Sequence, residues 1–148
     1  MPITFANEAQ RVTYEKVAAM MKEEFGRQCV VAEAQALFWL KSGSARTQVY
    51  VEPIGESGSY VRALSWVVTG PEITTELLRY LLQMNVTVRF GAFGVDTDGD
   101  VMFTHAIHGE SLTHEALMYS VYGVGQVADD TDDEIVQRFG GQRAVDRS

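Results

Sequence analysis

Three aspartates at alternate positions, Asp96, Asp98 and Asp100, have the residue type and opening spacing of a calcium loop. The rest of that pattern fails. An EF-hand loop needs glycine sixth and a bidentate acid twelfth, and those positions hold Val101 and Ile107. Asp98-Gly99 reads instead as the tight turn of a hairpin, because both residue types tolerate positive φ. His105, His108 and His114 are the three histidines. On a strand the first two point to opposite faces and cannot share one ion. His108 and His114, with Glu110 or Glu115, are left as candidate zinc ligands across a loop. A small metal-assisted hydrolase or ligand sensor built on that pair is therefore one alternative reading. Cys29 lies between an expected helix end and an apolar stretch, where a free thiol is commonly a small buried hydrophobe. A nucleophilic cysteine needs a positioned base, and none is adjacent in sequence. Nucleophile elbow, phosphate-cradling glycine loop and metalloprotease helix are all missing, so neither an enzyme nor a cofactor is expected.

Composition narrows the partners. The 148 residues match one ordinary domain spanning 1–148, with 46% hydrophobic and 22% charged residues, near the average for soluble globular chains. A net charge of -8 opposes binding to nucleic acid or to an anionic membrane, since both rest on clustered Lys and Arg. One cysteine excludes an internal disulfide. That, with no secretory pattern at the start and no run of about 20 apolar residues, points to the cytoplasm.

The elements that must position these residues follow from periodicity. Tyr14, Val17, Ala18, Met21 and Phe25 recur at helical steps through residues 7–25, and Gly26 should end that helix. Residues 30–40 read as one strand with a fully apolar face and a mixed face of Glu33, Gln35, Leu37 and Trp39, although its alanines leave a helix open. Turn residues at 41–45 lead into strands over 47–53 and 60–69, separated by a turn at 55–59. Gly70-Pro71-Glu72 is a helix entry, followed by a stripe of Ile73, Leu77, Leu81 and Met84 that Leu78 and Leu82 widen toward the sheet. Strands over 88–95 and 101–108 flank the aspartate turn, with Gly91 and Gly94 marking a bulge or close approach. Thr113 caps a long helix reaching Phe139, with a bend allowed near Gly123 and Gly125 and fraying expected over 142–148. The order α-β-β-β-α-β-β-α defines an α+β fold: a mostly antiparallel sheet with helices on one face.

Two surfaces then stand out. Trp39 shares its expected face with Glu33, Gln35 and Leu37, a mixture that suits a half-exposed sheet face and a partner surface. Asp129, Asp130, Asp132 and Asp133, followed by Glu134, form an acidic run that reads as a solvated helix face or break, or as a patch that selects a basic partner segment.

Asn85, Phe90-Gly91, Phe93, Val95, Asp98-Gly99, Val101, Phe103, Leu112-Thr113 and Phe139-Gly140-Gly141 resemble bacterial YbjN-domain proteins, which share the fold of type III secretion chaperones. Members of that family are described as sensory transduction regulators. The secretion chaperones are homodimers that hold extended segments of other proteins. The resemblance implies a homodimeric, non-enzymatic domain that binds a protein or flexible peptide in a chaperone-like or regulatory role, with no catalytic residue to carry over. A purely structural subunit, with its mixed face permanently covered, is a further alternative.

Overall fold

The computed structural model describes residues 2–40 and 46–147; the expected turn at 41–45 lies outside the described residues. Helix α1 (Glu8–Phe25) starts where the Asn7 side chain accepts a hydrogen bond from the backbone N–H of Gln10 at 2.7 Å, and it stops at Gly26. Its buried stripe includes Val17 and Met21.

The single strand expected over 30–40 is two strands. β1 (Cys29–Val31) and β2 (Leu37–Leu40) form an antiparallel hairpin, with Cys29 opposite Leu40 and Val31 opposite Phe38. The chain reverses through residues 33–36, closed by hydrogen bonds from Ala32 to Leu37 and from Leu37 to Gln35. A turn of alanine, glutamate and glutamine carries none of the usual Gly, Pro or Asn markers, which is why alternation alone read straight through it.

β3 (Arg46–Ile54) and β4 (Gly58–Thr69) continue the meander in full register, and β4 then pairs with β6 (Val101–His108). β5 (Ala92–Val95) pairs with β6, so the strand order is β1-β2-β3-β4-β6-β5 and the ends of the sheet are β1 and β5. The β5–β6 turn is built by Asp96, whose Oδ1 accepts from the N–H groups of Asp98 and Asp100 while Oδ2 accepts from Trp66 Nε1 at 3.1 Å. Burial pushes the Asp96 carboxyl up, but these hydrogen bonds outweigh it and hold the group below its usual range. Asp100 is equally committed, accepting from the N–H of Gly70 at 2.9 Å. Both carboxylates serve the turn.

Helix α2 (Thr75–Thr87) begins later than the Gly70-Pro71-Glu72 signal, because the Thr74 hydroxyl caps the N–H of Leu77 at 3.1 Å. Helix α3 (His114–Phe139) is one uninterrupted helix, capped by Thr113. Hydrogen bonds between Thr13 of α1 and Ser59 and between Ser120 of α3 and His105 place both helices on the same face of the sheet. Tyr80 of α2 packs its ring against Phe139 of α3, which puts all three helices in one layer. The core between the layers includes Met21, Phe38, Val49, Val61, Phe103, Leu77, Leu117 and Ile135, each at most 1% exposed.

The chain end differs from the fraying expected over 142–148. Beyond Arg46↔Trp66 the flank of β4 is free of β3, and β7 (Gln142–Arg143) takes that place opposite Val68 and Thr69. Ala144 is then 1% exposed, and Arg143 bonds Asp146 through two nitrogens at 2.8 and 3.0 Å. Two-residue pairing carries no periodicity to read.

Candidate functional site

The sheet face away from the helices presents cross-strand rows. Leu37, Tyr50, Arg62 and Ala106 lie side by side across β2, β3, β4 and β6, and Trp39, Gln48, Leu64 and Thr104 form the next row. Trp39 stacks with Trp66 at 6.4 Å between ring centroids and 15° between planes, and Leu64 beneath them is 6% exposed although no helix lies on this side. Arg62 donates to the Thr104 hydroxyl at 3.0 Å and sits 5.5 Å over the Tyr60 ring. Desolvation pushes the Tyr50 hydroxyl up, against the neighbouring Arg62 charge, so the phenol stays neutral. The surface can offer aromatic faces, the guanidinium groups of Arg46 and Arg62 and amide groups, and among the described residues it holds no nucleophile–base pair.

Of the surface read from sequence, Leu37 and Trp39 share this face, whereas Glu33 and Gln35 sit in the β1–β2 turn and not on a strand with Trp39. Gln35 and Leu37 nevertheless line a cleft of about 520 Å³ with Gln48, Tyr50 and Glu52. The acidic run belongs to the other layer. Asp129, Asp130 and Asp133 are exposed on α3, but Asp132 is 3% exposed, because helical spacing puts it on the buried stripe with Val121, Val124, Ala128 and Ile135. Its Oδ1 has no hydrogen-bond partner. Burial pushes this carboxyl above its usual range, the Asp133 N–H and Arg143 draw it down, and the charges of Asp133 and Asp129 raise it again.

The chemical candidates separate. His105 is opposite Ala63 on the inner face and His108 opposite Tyr60 on the outer one, as their spacing requires. Among the described residues no group of three or more His, Cys, Asp and Glu side chains comes together to hold a metal ion. Cys29 is partly buried and its thiol is pushed up by desolvation, away from thiolate chemistry. His105 Nδ1 and Ser120 Oγ lie 2.8 Å apart, and burial pushes the imidazole down. Among the described residues no acid is bonded to the ring to orient it as a base, and the two side chains form a part-buried polar pair.

Sequence reasoning missed the cleft above that pair. Arg89, Phe90, Ile107, Ala116 and Tyr119 surround His105 and Ser120 in a cavity of about 590 Å³. Gly91 at φ 86 creates its corner; a Cβ there would lie 2.4 Å from the Thr104 carbonyl oxygen, so only glycine lets the chain pass that close and turn Phe90 outward. Phe90 then meets His105 edge-on at 5.8 Å. Also missed was half of α2: Leu77 and Leu81 are buried, but Leu78 and Leu82, expected toward the sheet, are 42% and 68% exposed, and Val86 continues them at 85%.

A helix–meander–helix–hairpin–helix chain with three helices on one sheet face and an open aromatic surface on the other has the α+β fold of the secretion chaperones. The family described as T3SS (YopN, CesT) and YbjN peptide-binding chaperone 1 matches residues 13–147, and the chain belongs to it. Among solved structures, a chain of the HopA1-SchA chaperone-effector complex superposes with a TM-score of 0.65 at 12% identity, covering 85% of this chain and 98% of that one. A chain of the ExsC-ExsE complex gives 0.62 at 17% identity, covering 81% and 93%. Those likenesses show the fold. No curated protein matches the chain significantly, and no helix among the described residues is long and apolar enough to cross a membrane.

Proposed function

We propose that this chain is a non-enzymatic, single-domain cytoplasmic protein that binds a flexible segment of another protein in a chaperone-like or regulatory role, acting as a homodimer. The observation that carries the reading is the uncovered sheet face. Its stacked Trp39 and Trp66, with Tyr50 and Tyr60 beside them, offer large apolar surfaces to a partner in a chain whose family binds peptides. Leu37 and Gln35 extend this surface into the adjoining cleft, and Glu33 is two residues away in the same β1–β2 turn. On the opposite layer, exposed Asp129, Asp130 and Asp133 form a patch suited to a basic stretch of the same partner.

The dimer reading rests on α2. Leu78, Leu82 and Val86 repeat every fourth residue on one exposed line, so two copies running antiparallel about an axis through Leu82 would set Leu78 of one against Val86 of the other. The occupant of this stripe is thus a second copy.

The test takes a partner captured by the purified chain, reduces it to overlapping peptides, and measures their affinity for wild type and for Trp39→Ala. At least tenfold weaker binding by the variant is expected; equal affinity would remove the outer face as the partner surface. Light scattering at micromolar concentration should give twice the chain mass of 16.4 kDa, and a strict monomer would end the homodimer reading.

A further inference from the structure

The cavity between α3 and the corner at Arg89 and Phe90 lies on the helix side of the sheet, away from the outer face. Its two jaws are large and unsatisfied: Phe90 is 66% exposed and Tyr119 is 70% exposed, although both border about 590 Å³ of concave space. The floor is mostly apolar, with Ile107 and Ala116 beside His105 and Ser120, whose Nδ1 and Oγ are bonded to each other at 2.8 Å. The size suits a bulky side chain together with the backbone and neighbouring residues that carry it.

Charge fixes the partner's character. The chain holds 20 acidic and 12 basic residues, so a cation at the rim of an apolar cleft is a local departure from its overall charge. Arg89 is exposed and forms no ion pair among the described residues, while Glu115 stands on the α3 side of the same rim. An acidic residue of a ligand is therefore accepted beside Arg89 and repelled beside Glu115.

We infer that this cleft seats one bulky apolar side chain of a partner segment, with an acidic residue next to that anchor pairing with Arg89. The inference rests on the reading of the chain as a peptide binder and adds a second, separately testable anchor point to it. A second copy of this chain and a free apolar carboxylate are the competing occupants.

The probe is the acetylated, amidated hexapeptide Gly-Ser-Glu-Phe-Ser-Gly, with one counterpart carrying Lys for Glu and another Ala for Phe. Amide chemical shifts of the full chain are followed by NMR in wild type, Ala116→Trp, which fills the cavity from a helical position, and Arg89→Glu. Shifts should be confined to residues 89–91, 105–107 and 113–120. Affinity should fall at least tenfold for the Ala peptide and for Ala116→Trp, and Arg89→Glu should reverse the preference for Glu over Lys. Should Ala116→Trp disturb the spectrum globally, Tyr119→Ala, at an exposed position, should still weaken binding about fivefold. Undiminished binding by these variants, or shifts centred on Leu37 and Trp39, would overturn the cleft inference while leaving peptide binding intact. Loss of the dimer in Ala116→Trp would assign the cleft to a second copy, and N-acetylphenylalaninate binding as tightly as the peptide would assign it to a small carboxylate; either overturns the inference. Silence from every probe also overturns it, and the proposed function then stands or falls on Trp39→Ala alone.

Discussion

Phe38 and Trp39 are consecutive residues of one short strand, yet the first is 0% exposed and the second 37%. Strand geometry sends them to opposite faces, and the layers there differ. Under the helices the sheet is sealed, with Val49, Val51, Val61, Ala63 and Phe103 at most 1% exposed. On the other side residues of similar size lie half open, sheltered mainly by one another. The inner face therefore specifies the fold. Apolar area on the outer face contributes less to folding and is available to a partner.

The largest test of that contrast is Phe38→Ala. Removing a sealed aromatic leaves a cavity that close-packed neighbours fill only in part, so unfolding in urea should show a loss of about 3–5 kcal/mol. Trp39→Ala, one residue away, should cost much less. Equal losses would mean the outer face is part of the core.

Asp132 breaks the pattern from within the sealed side, since it is a carboxyl with an unpartnered oxygen on the buried stripe of α3. Burial raises its folded value above the ordinary 3.8, so the fold favours the protonated form. Its stabilising contribution is complete below the unfolded value and is lost as pH rises through the folded one. Asp132→Asn cannot ionise and should be about 1 kcal/mol more stable at pH 7. Denaturation midpoints should show that advantage shrinking as pH falls toward 4. A gain that did not depend on pH would place the carboxyl in water.

How much of this was legible depended on whether a feature repeats. The α1 and α3 stripes, the β3–β4 meander and the Asp98-Gly99 turn all announce themselves by period or turn chemistry, and the structure has them. The β1–β2 hairpin was hidden because Glu33 to Ala36 supply no turn-specific residue and keep the alternation going. Asp132 was grouped with its exposed neighbours by sequence adjacency, when helical spacing from Ala128 and Ile135 was the signal that could have separated it. The cleft had no linear signature: Phe90 and Tyr119 meet only through the fold, and Gly91 marked the corner without saying what it would face. Family-bearing residues such as Asn85 proved structural, its side chain bonding both the N–H and the carbonyl of Phe93 on the edge strand. Phe90 and Gly91, of the same set, shape the cleft instead.

On the outer face, Trp39→Ala removes one ring of a stacked pair at a half-exposed position, a contribution of about 0.5–1.5 kcal/mol. The same variant should also dequench or shift the fluorescence of Trp66, the only tryptophan it retains. Unchanged Trp66 emission would mean that the two rings do not meet in solution.

The smallest effect on stability belongs to α2, where exposure occurs on the helical layer and the division into a closed side and an open side no longer holds. Leu82 is 68% exposed with Leu78 and Val86 in line, so Leu82→Lys removes little that the single chain buries, and its unfolding free energy measured as a monomer should stay within about 0.5 kcal/mol. In a dimer paired about Leu82 the same change sets two ammonium groups against each other at the axis. Sedimentation should then show the variant as a monomer at concentrations where wild type is paired. Adding Leu82→Glu in a mixed sample should restore pairing between the two variants, because the opposed charges now attract. A Leu82→Lys protein that stayed dimeric would move the self-association elsewhere and leave the α2 stripe without the occupant proposed for it.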